Sequence, residues 1–253
     1  MEYWIWLSQV PYIGPVTANR LLNYFTEPVN IYSAEKADLM NVRGLTIRQI
    51  QSILSNKSLE TSREIIDSCQ KNNISIIRKN DMFYPNQAKV FEDAPIVLYY
   101  KGHFQEMEKS IAIVGARRCT QEIKKYAVKI TEQYTREGYA IISGMAKGID
   151  SYAHTACLNS GGYTVAVVGN GLDICYPCEH RKLMDRISDK GLLLSEYPPG
   201  TKPTRYTFPQ RNRIISAWAN KVVIIAPGKG SGALITAEYG KKYGKEVDII
   251  QSR

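Results

Sequence analysis

Residues 111–144, IAIVGARRCTQEIKKYAVKITEQYTREGYAIISG, contain two short apolar runs separated by a segment with helical periodicity. The alternation continues towards the end of the sequence. Six apolar runs are strand candidates, at residues 111–115, 139–144, 164–169, 192–196, 222–226 and 246–250. Apolar strands alternating with helices are typical of a parallel sheet covered by helices on both faces. The sequence therefore predicts an α/β fold, with a Rossmann-like, mainly parallel sheet in a domain over residues 110–253.

The preceding residues show a different pattern. VPYIGPVTANRLLNYF (10–25) and ADLMNVRGLTIRQIQSIL (37–54) each place a glycine turn before a segment with helical periodicity. This arrangement resembles helix-hairpin-helix or SAM-like modules, in which turn amides can hold a DNA phosphate, although small helical hairpins also occur as plain packing elements. We predict a small helical module over residues 1–55. A connecting helix and two strands should follow over residues 56–109.

The net charge of +9 is unevenly distributed along the chain. Residues 1–110 carry 12 basic and 12 acidic side chains, so the 21 basic and 12 acidic side chains of residues 111–253 account for the whole excess. A basic domain beside a neutral one suits a polyanionic partner. A bias towards solubility would produce the same charge excess.

Targeting signals and cysteine usage indicate a compartment. No apolar run reaches the roughly 18 residues of a membrane span, and MEYWIWLSQVPYIG lacks the basic and apolar regions of a signal peptide. Five cysteines form an odd set without the spacing of a disulfide scaffold. We therefore expect a cytoplasmic protein with reduced thiols and no membrane insertion.

Four of the predicted strands end in a glycine or another small residue followed by polar side chains. The loops are VGARRCT (114–120), SGMAKGIDSYAH (143–154), VGNGLDICYP (168–177) and APGKGSGALITAE (226–238). Glycines allow backbone amides to approach an anion, and a following helix N-terminus adds a partial positive charge. Tight turns also need glycine, but four such loops on one sheet edge, with Arg117, Lys147, Arg211 and Arg213 nearby, favour an anion site.

Other site chemistries have weaker signals. The sequence contains neither GxxxxGK[ST] nor GxGxxG, which argues against a P-loop or a dinucleotide site. Cys175 and Cys178 form a CxxC pair without a second pair, so we interpret them as ordinary loop cysteines rather than zinc ligands. His154 is either a ligand-facing or a packing residue, and Asp150 either caps its helix or holds the loop through backbone amides. Ser143 has no neighbouring base. We therefore predict no catalytic residue, no metal and no cofactor.

Several motifs carry a family resemblance. They are VGAR (114–117), SGMAKGIDSYAH (143–154), TVAVVGNGLDICYP (164–177), LLLSEYPPG (192–200), FPQRNRII (208–215) and SGALITAEYG (231–240). Their order and spacing resemble those of the DNA-processing protein A family, also called DprA or Smf. The N-terminal helical module also resembles the small domain that precedes the core in many members.

The resemblance implies a function and a binding site. Family members are non-catalytic, single-stranded DNA-binding proteins of bacterial natural transformation that protect incoming DNA and help load the RecA recombinase, usually as homodimers. Carried over by position, Arg117, Lys147, Arg211 and Arg213 are expected to hold DNA phosphates, with Asn212 fixing its loop. The full set of predicted DNA-binding residues is Arg117, Gly144, Lys147, Gly148, Gly169, Gly171, Arg211, Asn212, Arg213, Lys229, Ser231 and Gly232.

An alternative function remains open at this point. APGKGSGALITAE distantly resembles the PGGxGTxxE loop of nucleoside-monophosphate phosphoribohydrolases, although Glu238 lies too far from Gly228 and Lys229 stands where a glycine is expected. This alternative predicts a Rossmann-like nucleotide-binding hydrolase.

The sequence also departs from the family pattern. His180 replaces an asparagine of YPxxN, and IIAPG (224–228) replaces a VVEA-like segment, with Pro227 and Gly228 gained and a glutamate lost. Many members continue into a winged-helix domain, whereas this sequence ends at VDIIQSR. Candidate dimer segments are ALITAEYGKKYG (233–244) and IISAWANK (214–221), because amphipathic edge helices often pair.

Overall fold

The computed structural model describes residues 1–251 and forms two compact units, Met1–Leu98 and the part of the chain from Tyr99 onwards. The division lies within one strand, β2 (Val97–Gly102). The three-part organisation expected from the sequence, with boundaries at residues 55 and 109, stays a prediction.

The first unit is mainly helical. Its elements are α1 (Glu2–Gln9), α2 (Pro15–Phe25), α3 (Pro28–Ser33), α4 (Lys36–Met40), α5 (Ile47–Ser55), α6 (Glu60–Lys71), β1 (Ser75–Arg78) and α7 (Asn86–Lys89). Thr46 and Gln49 form a capping box at the start of α5, and the Gln49 side chain also donates to the carbonyl of Tyr12 and the hydroxyl of Thr17. The start of α5 therefore contacts the turn before α2 and α2 itself within this unit.

The second unit alternates strands with helices. Its elements are β3 (Ser110–Gly115), α8 (Gln121–Arg136), β4 (Ala140–Ser143), α9 (Ile149–Asn159), β5 (Thr164–Val168), a 3₁₀ helix (Cys178–His180), α10 (Arg181–Lys190), β6 (Leu192–Ser195), α11 (Thr207–Trp218), β7 (Lys221–Ile225), α12 (Gly232–Lys242) and β8 (Glu246–Ile250). The six strands predicted in this part of the chain are all present within one residue of their expected bounds.

Eight strands form one sheet in the order β1-β2-β6-β5-β4-β3-β7-β8. Five neighbouring pairs from β6 to β8 are parallel, whereas β2 runs antiparallel to β6, with Tyr99 opposite Ser195. The prediction of a mainly parallel sheet is confirmed.

Helices cover both faces of this sheet. On one face, Ile111 and Val223 pack with Ala127 of α8 and Ala153 of α9. On the opposite face α12 packs closely, since a Cβ at Gly240 would lie 3.1 Å from the Val222 side chain, which points away from that of Val223. The predicted two-sided covering is confirmed.

The strand order contains a topological switch point. From β3 the chain moves through β4 and β5 to β6, and then returns to place β7 and β8 on the other side of β3. In open parallel sheets, ligands bind outside the carboxyl ends of the strands at such a point. The ends of β3 and β7 are therefore the place to look for a site.

Across residues 1–251, no helix combines the length and the apolar character required to cross a membrane.

Candidate nucleic-acid interface

A cleft of about 800 Å³ opens at the switch point between the ends of β3 and β7. Its walls come from the loops after these strands, the start of α12, one side of α11 and the segment before α11. Residues that line it include Val114, Gly115, Ala116, Arg117, Arg118, Asp150, Tyr176, Pro203, Thr204, Arg205, Phe208, Arg211, Asn212, Ala226, Gly228, Ser231, Gly232 and Thr236. The predicted anion-binding edge of the sheet is thus concave.

Three exposed arginines line this cleft. Arg117 and Arg118 follow β3, and Arg205 comes from the segment before α11. Guanidinium groups offer several fixed N–H donors and stay protonated, which suits them to phosphate. These arginines give the cleft a positive charge, and they belong to the excess of basic residues in the part of the chain from residue 111 onwards.

Two aromatic rings pack against each other in the same cleft. The ring centroids of Tyr176 and Phe208 are 5.5 Å apart with an interplanar angle of 32°, and Tyr176 is half exposed. Gly169 makes room for this arrangement, because a Cβ there would lie 3.0 Å from the Phe208 ring. An exposed ring beside arginines provides a face on which a nucleic-acid base can stack.

Arg211 lies at the floor of the cleft and is bonded to the protein itself. FPQRNRII is part of helix α11, and the Arg211 guanidinium donates to the carbonyls of Gly144 (2.6 Å) and Val167 and to Asn212 Oδ1 (3.1 Å). Burial lowers its pKa to about 10, so it remains protonated at neutral pH. Arg211 lines the cleft, and its donors bond to protein carbonyls and an amide oxygen, so its contact with a phosphate stays a prediction.

Asp150 supplies an internal anion to the loop after β4. Its carboxylate accepts hydrogen bonds from the N–H groups of Gly144 (3.1 Å) and Ala146 (3.3 Å). Burial raises the pKa of Asp150, and the nearby Arg211 charge and the backbone N–H groups oppose that rise. A side chain at Gly144 would collide with both groups, since a Cβ would lie 2.7 Å from each. Of the two roles considered for Asp150, the structure supports holding the loop.

Asn212 and Arg213 connect α11 to neighbouring segments. Asn212 Nδ2 donates to the Gly232 carbonyl (2.9 Å) at the start of α12. Arg213 is buried and pairs with Glu196 (2.5 Å), and it also donates to the Gln210 carbonyl. Asn212 lines the cleft, whereas Arg213 is directed to Glu196 and lies outside the set of lining residues.

The remaining predicted cations are exposed. Lys147 pairs with Glu179 at 2.7 Å, and both side chains are about half exposed. Lys229 lies in the loop between Gly228 and Ser231, which themselves line the cleft. Glu179 therefore competes with any phosphate for Lys147.

The start of α12 presents backbone N–H groups to the cleft. Ser231 is the N-cap residue, and its side chain makes no capping bond, so the first amides of the helix are not covered by it. A helix N-terminus carries a partial positive charge that favours anions.

Two other predicted glycines shape loops by close packing. Gly148 has φ +81°, and a Cβ there would collide with the carbonyl oxygen of Ala116. The Gly171 N–H donates to the Thr201 carbonyl (2.9 Å) and is therefore occupied. Both lie outside the set of cleft-lining residues.

The structure thus sorts the predicted residues into two groups. Those that line the cleft are Arg117, Arg211, Asn212, Ser231 and Gly232. Those that lie outside the lining are Gly144, Lys147, Gly148, Gly169, Gly171, Arg213 and Lys229. Whether these residues contact DNA stays a prediction.

Sequence reasoning missed several functional candidates. Arg205 stands shortly before FPQRNRII, and a cation beside Tyr206 and Phe208, which are themselves candidates for base stacking, was a usable signal there. Glu179 and Glu196 gave no comparable signal, because they meet their partners only after folding.

His154 is a packing residue. It is fully buried, and its Nδ1 contacts the Thr164 hydroxyl at 2.7 Å. That hydroxyl donates to the Ile141 carbonyl, so Nδ1 carries the proton. Burial lowers the His154 pKa to about 3, and the ring is neutral at physiological pH.

The cysteines remain free thiols, with Cys175 buried and Cys178 exposed. Over residues 1–251, no group of three or more His, Cys, Asp or Glu side chains has an arrangement that could hold a metal ion.

Comparison with known proteins relates this geometry to a family. A family model described as DNA recombination-mediator protein A matches residues 75–253. Protein Smf of Synechocystis is 36% identical over 250 residues, which cover 97% of this chain and 63% of that protein. The chain therefore spans less than two thirds of the length of this curated relative.

Solved structures agree. The crystal structure of DNA processing protein A from Streptococcus pneumoniae superposes with a TM-score of 0.86 at 31% identity, covering 100% of this chain and 87% of that one. DNA processing protein A from Helicobacter pylori, whose single-stranded DNA binding mode has been studied structurally, gives a TM-score of 0.65 at 28% identity, covering 71% and 81%. With the sequence motifs, the fold and the family match in agreement, the chain belongs to the DNA recombination-mediator protein A (DprA/Smf) family.

Proposed function

We propose that this chain binds single-stranded DNA in the cleft at the switch point of its sheet and catalyses no reaction there. One observation carries the proposal: exposed arginines and an exposed aromatic ring line the same cleft. Proteins that bind single strands combine cations for the phosphates with aromatic faces for the bases. The Helicobacter pylori relative, described as a single-stranded DNA-binding protein, supports the same function.

Each group has a separate task in this binding mode. Arg117, Arg118 and Arg205 attract and hold backbone phosphates, because their guanidinium groups are exposed and lie along the cleft. The N-terminus of α12 offers amides to one further phosphate. Tyr176 stacks on a base, which requires no particular sequence because every base has a π face.

Buried polar groups keep this surface in shape. Arg211 joins the loop after β4 to α11, and Asn212 joins α11 to the start of α12. Asp150 accepts hydrogen bonds from amides of the loop after β4, so this loop is already ordered before a DNA strand binds. A preorganised surface loses less free energy when it binds its ligand.

The cellular part of the proposal follows from the family. We infer a role in bacterial natural transformation, in which the protein protects incoming single strands and helps to load RecA, acting as a cytoplasmic homodimer. The description of the family as a recombination mediator supports this role.

The first experiment is a titration of the chain with fluorescent oligo-dT, single-stranded and duplex, over a range of salt concentrations. We expect preferential single-strand binding that weakens as salt rises, because released counterions drive the association. Arg117→Ala should weaken binding and reduce the slope of log K against log[salt] by about 0.7, the value for one lost contact to a single strand.

Arg136→Ala is the matched control. Arg136 is exposed at the end of α8, which leads to the amino end of β4 and so lies at the opposite edge of the sheet. Equal losses in both variants would place binding elsewhere, and no single-strand binding at low salt would refute the proposed function.

Two further measurements test the wider proposal. Release of ribose phosphate from AMP by the purified protein would contradict a non-catalytic role and revive the nucleotide hydrolase alternative. Failure to speed RecA assembly on protein-coated single strands, despite tight DNA binding, would restrict the function to DNA binding. Sedimentation of the free protein as a monomer would contradict the homodimer.

A further inference from the structure

The segment before α11 displays a tyrosine beyond the cleft. Tyr206 is 64% exposed and is the most exposed tyrosine among the described residues from 99 to 251. The Arg205 guanidinium lies 4.9 Å from its ring centroid and donates to its hydroxyl at 2.7 Å. The ring therefore remains largely accessible to solvent while a neighbouring cation holds its orientation.

Hydrogen bonds hold the segment itself in place. The Gly200 N–H donates to both carboxylate oxygens of Asp173, at 2.9 and 3.0 Å. The Thr207 hydroxyl donates to the Thr204 carbonyl, and the Thr204 hydroxyl accepts from the backbone N–H groups of Tyr206 and Thr207. None of these bonds involves the Tyr206 side chain, so the segment keeps these hydrogen bonds when the Tyr206 ring is replaced.

Tyr206 lies at the rim of the cleft. Thr204 and Arg205, which precede Tyr206 in the sequence, line the cleft, and so does Phe208, which follows it. A strand held by Arg205 would therefore pass directly beside the Tyr206 ring. Lys202, also exposed, adds a cation to the same segment.

We propose that Tyr206 is a second base-stacking position, outside the cleft, for the nucleotide next to those bound inside it. The inference rests on the proposed single-strand binding and adds a position to it. An exposed aromatic ring with a fixed orientation stacks on an unpaired base at low entropic cost, and the adjacent arginine attracts the phosphate. Duplex DNA keeps its bases stacked on one another, so this position selects for single strands.

Tyr206→Trp gives a direct readout of stacking. The three native tryptophans, Trp4, Trp6 and Trp218, are all buried, so the new indole is the exposed one. We expect its fluorescence to be quenched when oligo-dT binds. An abasic oligonucleotide of the same length, which carries phosphates but no bases, should bind more weakly and leave the fluorescence unquenched.

Affinity measurements provide the second readout. Tyr206→Leu should lower the affinity for oligo-dT by about 5- to 140-fold, because stacking on one base contributes about 1–3 kcal/mol. The same change should leave the affinity for the abasic strand unaltered. Tyr206→Phe keeps the aromatic ring and should therefore bind oligo-dT as tightly as the unmodified protein. Tyr126→Leu is the matched control, since Tyr126 is an exposed tyrosine on α8.

The outcomes distinguish this inference from the function on which it rests. Unquenched Tyr206→Trp fluorescence with bound oligo-dT, or an equal affinity loss for oligo-dT and the abasic strand, would overturn the stacking position and leave the cleft proposal intact. No oligo-dT binding by the unmodified protein would overturn both.

Discussion

Replacement of Arg211 by methionine should lower the free energy of unfolding substantially. In the folded protein the guanidinium donates to two backbone carbonyls, of Gly144 and Val167, and to the Asn212 amide oxygen. Methionine fills part of the same volume but donates nothing, so these buried acceptors lose their partner. The nearby Asp150 carboxylate also loses a compensating positive charge.

The size of the effect follows from these contacts. A hydrogen bond to a charged group contributes about 1.5–3 kcal/mol, and removal of one partner of a buried charge pair typically costs about 3–5 kcal/mol. Burial already raises the pKa of Asp150, and loss of the Arg211 charge raises it further, which lets the carboxyl become neutral and limits the cost. We therefore expect a loss of about 3–5 kcal/mol.

Urea unfolding followed by far-ultraviolet circular dichroism measures this loss. The midpoint should fall by about 1–2 M, given the slopes usual for chains of this size. Arg117→Met is the matched control. Arg117 is exposed, so its replacement should change the free energy of unfolding by less than about 0.5 kcal/mol while it weakens oligo-dT binding.

One result would refute this reasoning. If Arg211→Met unfolds at the same urea concentration as the unmodified protein yet no longer binds oligo-dT, the Arg211 donors face the ligand and not the protein. The arginines of FPQRNRII would then be the direct phosphate contacts that the sequence suggested.

Three further predictions concern single residues. Glu179→Gln should raise the affinity for oligo-dT about two- to fivefold at low salt, because it releases Lys147 from an exposed ion pair; unchanged affinity in a titration would show that Lys147 lies off the DNA path. His154 is neutral in the folded protein, where its pKa is about 3, whereas in the unfolded chain it takes up a proton as the pH drops below 6.5. The free energy of unfolding should therefore fall by about 1.4 kcal/mol per pH unit below 6.5. His154→Gln should remove this part of the slope in urea titrations from pH 7 to 5. Gly148→Ala should lower the stability more than Gly138→Ala, because both glycines have similar positive φ angles but only at Gly148 would the new Cβ meet backbone atoms. Equal melting temperatures of the two variants would contradict the collision expected at Gly148.

The sheet could be predicted because each strand carries its own signal. Runs such as IAIVG and VVIIA are apolar at every position, and the structure buries them on both faces as β3 and β7. Their identification as strands of a mainly parallel sheet therefore required only their local composition and their alternation with helical segments. The first helix, α1, was harder to identify, since its apolar residues Trp4 and Trp6 are also common in strands.

The roles of the charged residues could not be predicted in the same way. Arg211 and Arg213 stand two positions apart in one motif, yet one reaches Gly144 and Val167 while the other pairs with Glu196. These partners are distant in sequence, so no local pattern distinguishes an arginine that binds the protein from one that binds a ligand. Only burial makes the distinction.

This distinction changes how the basic charge of the chain relates to its proposed function. Ion pairs and hydrogen bonds that are buried respond little to salt, whereas exposed cations are screened and release counterions when they meet phosphates. We therefore expect the salt dependence of DNA binding to reflect exposed groups such as Arg117 and Arg205 and to respond little to replacement of Arg211 or Arg213. Under the proposed function, the basic motif FPQRNRII would shape the cleft, and the exposed cations around it would attract the phosphates.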